Sequence, residues 1–206
     1  GEQANKCCIF PCEDWVMYLA RILYPVEVLG CGKRVGIWFN GCPHHCKGCS
    51  NPELWEFQKR YSIRIENGMQ LINRIAKENP IDGFTITGGE PFYQAEALNA
   101  LITKLSVFSD DILVYTGYEL QELHDMKSDT VESILSKIAV LIDGRYIEEW
   151  NHNCTLRGSE NQRIWILNET YRGAYEEYLK QENKIQNFTI GNHVISVGIH
   201  KKGFQF

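Results

Sequence analysis

Apolar residues recur along this chain at two spacings, and the alternation between them lays out most of its elements. Met69, Leu71, Ile72, Ile75 and Ala76 form a stripe at helical spacing. Phe84 to Thr87 then reads as a short strand, Ala95 to Leu105 as a helix, and Ile112 to Tyr115 as another strand. Leu120 to Met126 and Val131 to Ser136 have helical periodicity, and Ala139 to Ile142 is the next strand. Earlier in the chain, Val35 to Phe39 is an unbroken apolar run of strand character. Ahead of it Trp15, Leu19, Ile22 and Leu23 sit at helical spacing, which predicts a short amphipathic helix over Asp14 to Leu23. Tyr24 to Arg34 is expected to be extended, with a tight turn at Gly30-Cys31-Gly32-Lys33.

Strands that alternate with helices pair in parallel through right-handed crossovers, and reactive groups then collect beyond the carboxyl ends of the strands. The tail reads differently. Tyr171, Ala174, Tyr175, Tyr178 and Leu179 mark a helix, and Phe188 to Ile190, the turn Gly191-Asn192 and Val194 to Ile199 mark a hairpin. Its default role is to cover a sheet edge. A second role is contact with a substrate.

Composition describes one ordinary domain: 206 residues, 44% hydrophobic and 12% aromatic, enough for one sizeable core. No apolar run is long enough to span a bilayer, so no membrane partner is expected. A net charge of -5 argues against non-specific nucleic-acid binding, which needs a basic surface. Eight cysteines without a recognisable export signal point to a reducing compartment, hence a cytoplasmic protein.

Three of those cysteines carry the chemistry. Cys42, Cys46 and Cys49 are spaced CxxxCxxC in a loop directly after the strand-like run Val35 to Phe39. Three thiolates can hold three irons of a 4Fe-4S cluster and leave the fourth open as a reaction site. Structural zinc, with His44 or His45 drafted as ligands, is the plainer alternative; such sites usually pair two knuckles, and the chain has no second CxxC. Disulfides are a third reading, although three cysteines this close cannot all pair locally. Cys7, Cys8 and Cys12 invite an auxiliary cluster, with Cys31 or Cys154 as a fourth ligand, but free thiols are the expected state.

The cysteine loop, together with Gly88-Gly89-Glu90-Pro91 at the end of the second strand, resembles the radical S-adenosylmethionine (SAM) enzymes. Within them, the segments Tyr24-Pro25-Val26-Glu27, Arg34, Asn51, Trp55 and Tyr115-Thr116-Gly117-Tyr118 resemble the activating proteins of anaerobic, class III ribonucleotide reductases. Leu141-Ile142-Asp143-Gly144-Arg145 and Arg157 to Arg163 extend the likeness, as does Gly48 before the third cysteine.

That resemblance implies an α/β fold, a partial (open) TIM-like barrel of about six parallel β/α units with a C-terminal helix and β-hairpin extension. It implies an N-terminal extension at 1–23, a core domain at 24–167 and an extension at 168–206. It implies a 4Fe-4S cluster on Cys42, Cys46 and Cys49, and SAM held through its amino group by Gly88, Gly89, Glu90 and Pro91. Thr116, Asp143 and Arg157 are expected to help with its ribose or carboxylate. The implied reaction is reductive cleavage of SAM to methionine and a 5'-deoxyadenosyl radical, which takes a hydrogen atom from a glycine of the partner reductase. An electron donor such as flavodoxin or ferredoxin is implied as well. The alternative is a small radical SAM enzyme acting directly on a peptide or small molecule; an electron-carrying iron-sulfur protein is a non-enzymatic third.

Overall fold

A computed structural model describes residues 15–204. Cys7, Cys8 and Cys12 lie outside the described residues. The chain builds a seven-stranded sheet, β1 (Val16–Val26), β2 (Arg34–Phe39), β3 (Ser62–Arg64), β4 (Gly83–Gly88), β5 (Ile112–Tyr115), β6 (Val140–Asp143) and β7 (Arg163–Ile166). Its spatial order is β3-β1-β2-β4-β5-β6-β7. The helices are α1 (Ile65–Glu78), α2 (Ala95–Leu105), α3 (Leu120–Asp125), α4 (Asp129–Lys137) and α5 (Arg172–Tyr178). A second sheet holds only β8 (Ile185–Ile190) and β9 (His193–Gly198), the expected hairpin.

The sheet's centre, β2-β4-β5-β6, is parallel. Both flanks are antiparallel: β1 pairs with β2 and β3, and β7 pairs with β6. The parallel block therefore has four strands rather than about six. The cause is in the connections, since parallel neighbours need a crossover of a dozen or more residues. Only the short turn Glu27 to Lys33 joins β1 to β2, with Gly30 and Gly32 both at positive φ. Among the described residues the sheet ends in two edge strands, β3 and β7, each paired on one side, and is open.

The expected helix over Asp14 to Leu23 is instead strand β1. Met17 and Leu19 alternate into the core, and register shifts after Leu19 and Leu23 then change which residues face inward. Those bulges give Leu19 and Leu23 a spacing that imitates a helix. The β-branched and aromatic residues Val16, Tyr18, Ile22, Tyr24 and Val26 favour the strand.

β2 is buried along its whole length, as a central parallel strand should be. Val35, Ile37 and Phe39 point to one face, where they meet Ile72, Leu98 and Leu101 of α1 and α2. On the opposite face Trp38 joins Leu23, Val26, Leu54 and the hairpin residue Val197. Helix α5 packs Tyr175 against β5 and β6 in a third cluster. Its phenol also donates to Oδ1 of Asp111 at 2.7 Å. That carboxylate pairs at 2.7 Å with the guanidinium of Arg34, which is wholly buried. Arg34 spends its remaining donors on Thr85 and on the carbonyls of Cys31, Phe84 and Asp111. This network lies at the amino-terminal ends of β2 and β5, away from the cysteines. Among the described residues, no helix is long and apolar enough to cross a membrane.

Candidate metal centre

The cysteine loop leaves the carboxyl end of β2 and is held from both sides. The backbone N–H groups of Gly41 and Cys42 donate to the carbonyls of Leu54 and Trp55, each at 2.8 Å. Asn40, fully buried, donates to the carbonyls of Leu54 and Glu56 and accepts from the Gln58 N–H. Cys49 N–H closes a tight turn onto the Cys46 carbonyl at 3.1 Å. Gly48, just before Cys49, has φ +74, and a Cβ there would meet the Glu148 side chain at 2.8 Å. Glycine at that place is demanded by the backbone.

Gly88 and Gly89 bring a second loop against the first. A Cβ on Gly88 would lie 2.4 Å from the Phe39 carbonyl oxygen, and one on Gly89 would lie 2.4 Å from that of Gly41. With no side chains in the way, Gly89 N–H bonds Phe39 O and Glu90 N–H bonds Gly41 O, both at 2.8 Å. The close approach these glycines allow is thus to the cysteine loop's own backbone.

Glu90 is 1% exposed, and its carboxylate is shared among four donors. Oε1 accepts from Phe92 N–H at 3.0 Å and from the Thr116 hydroxyl at 2.9 Å. Oε2 accepts from Gly117 N–H at 2.7 Å and lies 3.0 Å from Nε2 of His44. The imidazole of His44 also meets Tyr118 edge-on, with ring centroids 4.6 Å apart. His44, which the sequence offers only as a possible zinc ligand, is the clasp between the cysteine loop and the GGEP turn.

These loops border one cavity of about 200 Å³. Cys42, Cys46, Cys49, Gly88, Gly89, Glu90 and Thr116 all line it. Three other expected site residues do not. Pro91 is buried at the start of the turn after Glu90. Asp143, also buried, caps α3 through Leu120 N–H at 2.7 Å and accepts from Arg163 N–H at 3.2 Å. Arg157 donates to the carbonyls of Glu160 and Gln162, closing its own loop. Their neighbours Gly144, Gly158 and Gln162 reach the cavity instead. Gln162 is fixed by donating to Gly144 O and accepting from Gly158 N–H, each at 2.8 Å. Sequence reasoning also missed Tyr146 and the hairpin residues 196–200 as cavity wall.

The donor set is three thiols, the number that leaves one iron of a 4Fe-4S cluster open. Sulfurs sharing one tetrahedral zinc at about 2.3 Å must crowd within roughly 4 Å of each other. Among the described residues, no group of three or more His, Cys, Asp or Glu side chains is placed to hold one metal ion. Burial pushes the Cys42 and Cys49 thiols up, and backbone N–H groups of the loop partly pull them back. The indole N–H of Trp55 is buried without a full hydrogen bond, yet lies close enough to Cys49 to favour its thiolate. A cluster sulfur at that corner would give it an acceptor.

Three thiols gather around one cavity at the carboxyl end of the parallel strands. Residues 28–165 match the family model of the 4Fe-4S single cluster domain, and the chain belongs to that family. It is similar to the anaerobic ribonucleoside-triphosphate reductase-activating protein of Enterobacteria phage T4, 31% identical over 148 residues, covering 69% of this chain and 90% of the phage protein. The protein of the same name from Haemophilus influenzae is 36% identical over 149 residues, covering 68% of this chain and 93% of the relative. That of Vibrio cholerae is 33% identical over 150 residues, with the same two shares.

Proposed function

We propose that this chain is a radical SAM activase that generates a glycyl radical on an anaerobic ribonucleoside-triphosphate reductase. The observation that carries the reading is the convergence of CxxxCxxC and the GGEP turn on one cavity, clasped through His44 and Glu90. The names of its relatives supply the partner.

In this reading Cys42, Cys46 and Cys49 would hold three irons of a 4Fe-4S cluster, and Gly88, Gly89, Glu90 and Thr116 would wall the space in which SAM binds. When bound, cluster and SAM together supply one-electron cleavage of the sulfonium and a carbon radical able to abstract hydrogen; the hard chemistry is the cofactors' own. The protein binds, orients and excludes water. Glu90 sets the negative charge beside the cysteine loop, held in place by Thr116, Gly117 and His44. Trp38, Leu29 and Tyr115 give the cavity an apolar floor. Pro91, Asp143 and Arg157 act through the loops they brace.

An open sheet suits a partner whose hydrogen donor must reach a buried centre, and the lateral opening is the feature a partial barrel would provide. The electron comes from a low-potential carrier of the flavodoxin or ferredoxin type in a reducing, cytoplasmic setting. The test is anaerobic: reconstituted protein, SAM, a strong reductant and the reductase of the same organism, followed by electron paramagnetic resonance. A glycyl-radical doublet that vanishes with Cys46→Ala is the expected result. Formation of 5'-deoxyadenosine with no radical on a competent reductase would overturn the assignment.

A further inference from the structure

The β8–β9 hairpin lies beyond residue 165, where the match to the family model stops. It forms a sheet of two strands, so among the described residues β9 has one edge with no strand partner. Such an edge carries a row of unused backbone N–H and C=O groups. The register Ile190↔His193 closes a two-residue turn. A turn of that length closes on a hydrogen-bonded pair, and the antiparallel alternation then aims the backbone groups of Val194, Ser196 and Gly198 away from β8.

Ser196, Val197, Gly198, Ile199 and His200 line the cluster cavity without a gap. Alternate side chains of a strand point to opposite faces, so a wall made from one face would contribute every second residue. Three residues of that run, Ser196, Val197 and Gly198, belong to β9, so the strand's backbone as well as its side chains borders the cavity. Next to the cavity lies a larger cleft of about 740 Å³, bordered by Val194, Ile195, Ser196 and His200. Ser196 and His200 border both spaces, as do Cys49 and Asn51. One strand therefore runs from an open cleft to the cysteines.

The edge is firmly seated. Gln186 bonds the Pro25 carbonyl and the Glu27 N–H, Asn151 bonds the His200 carbonyl at 3.0 Å, and Ser196 Oγ lies 2.7 Å from His200 Nε2. Ile190, Val194 and Phe204, all about half exposed, give the cleft apolar sides.

We propose that the free edge of β9 takes an extended polypeptide segment of the reductase as an added strand, and so leads that segment from the cleft into the cavity. The proposal rests on the activase reading above. A segment built around glycine offers little side chain to grip at its reacting residue. Strand addition grips backbone, with apolar pockets beside it reading the flanking residues.

Val194→Pro removes an outward N–H while leaving the ladder to β8 intact, and proline is tolerated where the N–H side of an edge strand is free. Thr189→Pro makes the same change on the outer edge of β8, opposite Val194. With reconstituted full-length protein, binding of the intact reductase and of S-adenosylhomocysteine would be measured for each by calorimetry. Val194→Pro is expected to weaken reductase binding about tenfold, the loss of one backbone hydrogen bond with its geometry, while Thr189→Pro stays near wild type. S-adenosylhomocysteine should bind all three alike. Equal losses from both variants, no loss from Val194→Pro, or a loss confined to S-adenosylhomocysteine would overturn the proposal. A wild-type protein that binds S-adenosylhomocysteine and ignores the reductase would overturn the activase reading with it.

Discussion

Nε2 of His44 stands 3.0 Å from Oε2 of Glu90, joining a residue between the first two cysteines to the turn after β4. Both side chains are almost wholly buried, at 5% and 1% exposure. Replacing Glu90 with Ala strands the Thr116 hydroxyl, the Gly117 and Phe92 N–H groups and the imidazole together. At about 1–3 kcal/mol for each of these four groups left unpaired, the expected loss is at least about 4 kcal/mol. Glu90→Gln keeps one acceptor oxygen and should lose less than half of that. Denaturant unfolding of the apo-proteins, read by far-ultraviolet circular dichroism, separates the two.

Gly89→Ala tests the contact between loops. Its methyl group would sit 2.4 Å from the Gly41 carbonyl oxygen, a backbone atom that cannot swing aside. The turn must separate from the cysteine loop, so the variant should keep its fold and incorporate less iron per chain on anaerobic reconstitution. Iron content equal to wild type would refute the tight coupling of the two loops.

The Arg34–Asp111 pair makes a different prediction. Asp111→Ala leaves a guanidinium buried without its counter-charge and should cost about 3–5 kcal/mol. Tyr175→Phe removes only the phenol's bond to the same carboxylate, a loss nearer 1 kcal/mol. Cluster loading of the Tyr175→Phe protein should be unchanged, because the network lies at the opposite ends of the strands.

Reconstitution should depend on pH. Burial raises the Cys42 and Cys49 thiols above their ordinary range, while iron binds thiolate, so loading the cluster expels protons. Iron incorporation therefore strengthens as pH rises from neutral towards the thiol range. The apo-fold moves the other way. An acid whose folded value is raised adds stability below its ordinary value, and that stability is lost as pH rises through it. Parallel titrations of iron uptake and apo-protein unfolding would show the opposed slopes; uptake independent of pH would contradict the burial of these thiols.

Much of this was legible in the sequence. The runs Val35–Phe39, Phe84–Thr87, Ile112–Tyr115 and Ala139–Ile142 became β2, β4, β5 and β6 with boundary changes of a residue or so. Their apolar content is unambiguous because both faces are buried. β1 was not legible as a strand, since its bulges break the two-residue alternation that marks one. In the site, residues adjacent in a motif were legible together, but contact across the chain was not. Asp143 and Gly144 are neighbours, yet one caps a helix and the other lines the cavity. Gln162 and Ser196 reach the cavity only through the long loop after β6 and the seating of the hairpin, which no local pattern announces.

The bonds from Gly89 to Phe39 and from Glu90 to Gly41 follow directly on the β2–β4 ladder, whose last paired residues are Phe39 and Gly88. The amides of Gly89 and Glu90 are therefore the sheet's own, although they belong to a loop. Their hydrogen exchange should follow the opening of the central strands rather than local fraying. A site wired this way does not loosen gradually as the protein warms. It holds until the sheet parts, and then both fail in one cooperative event.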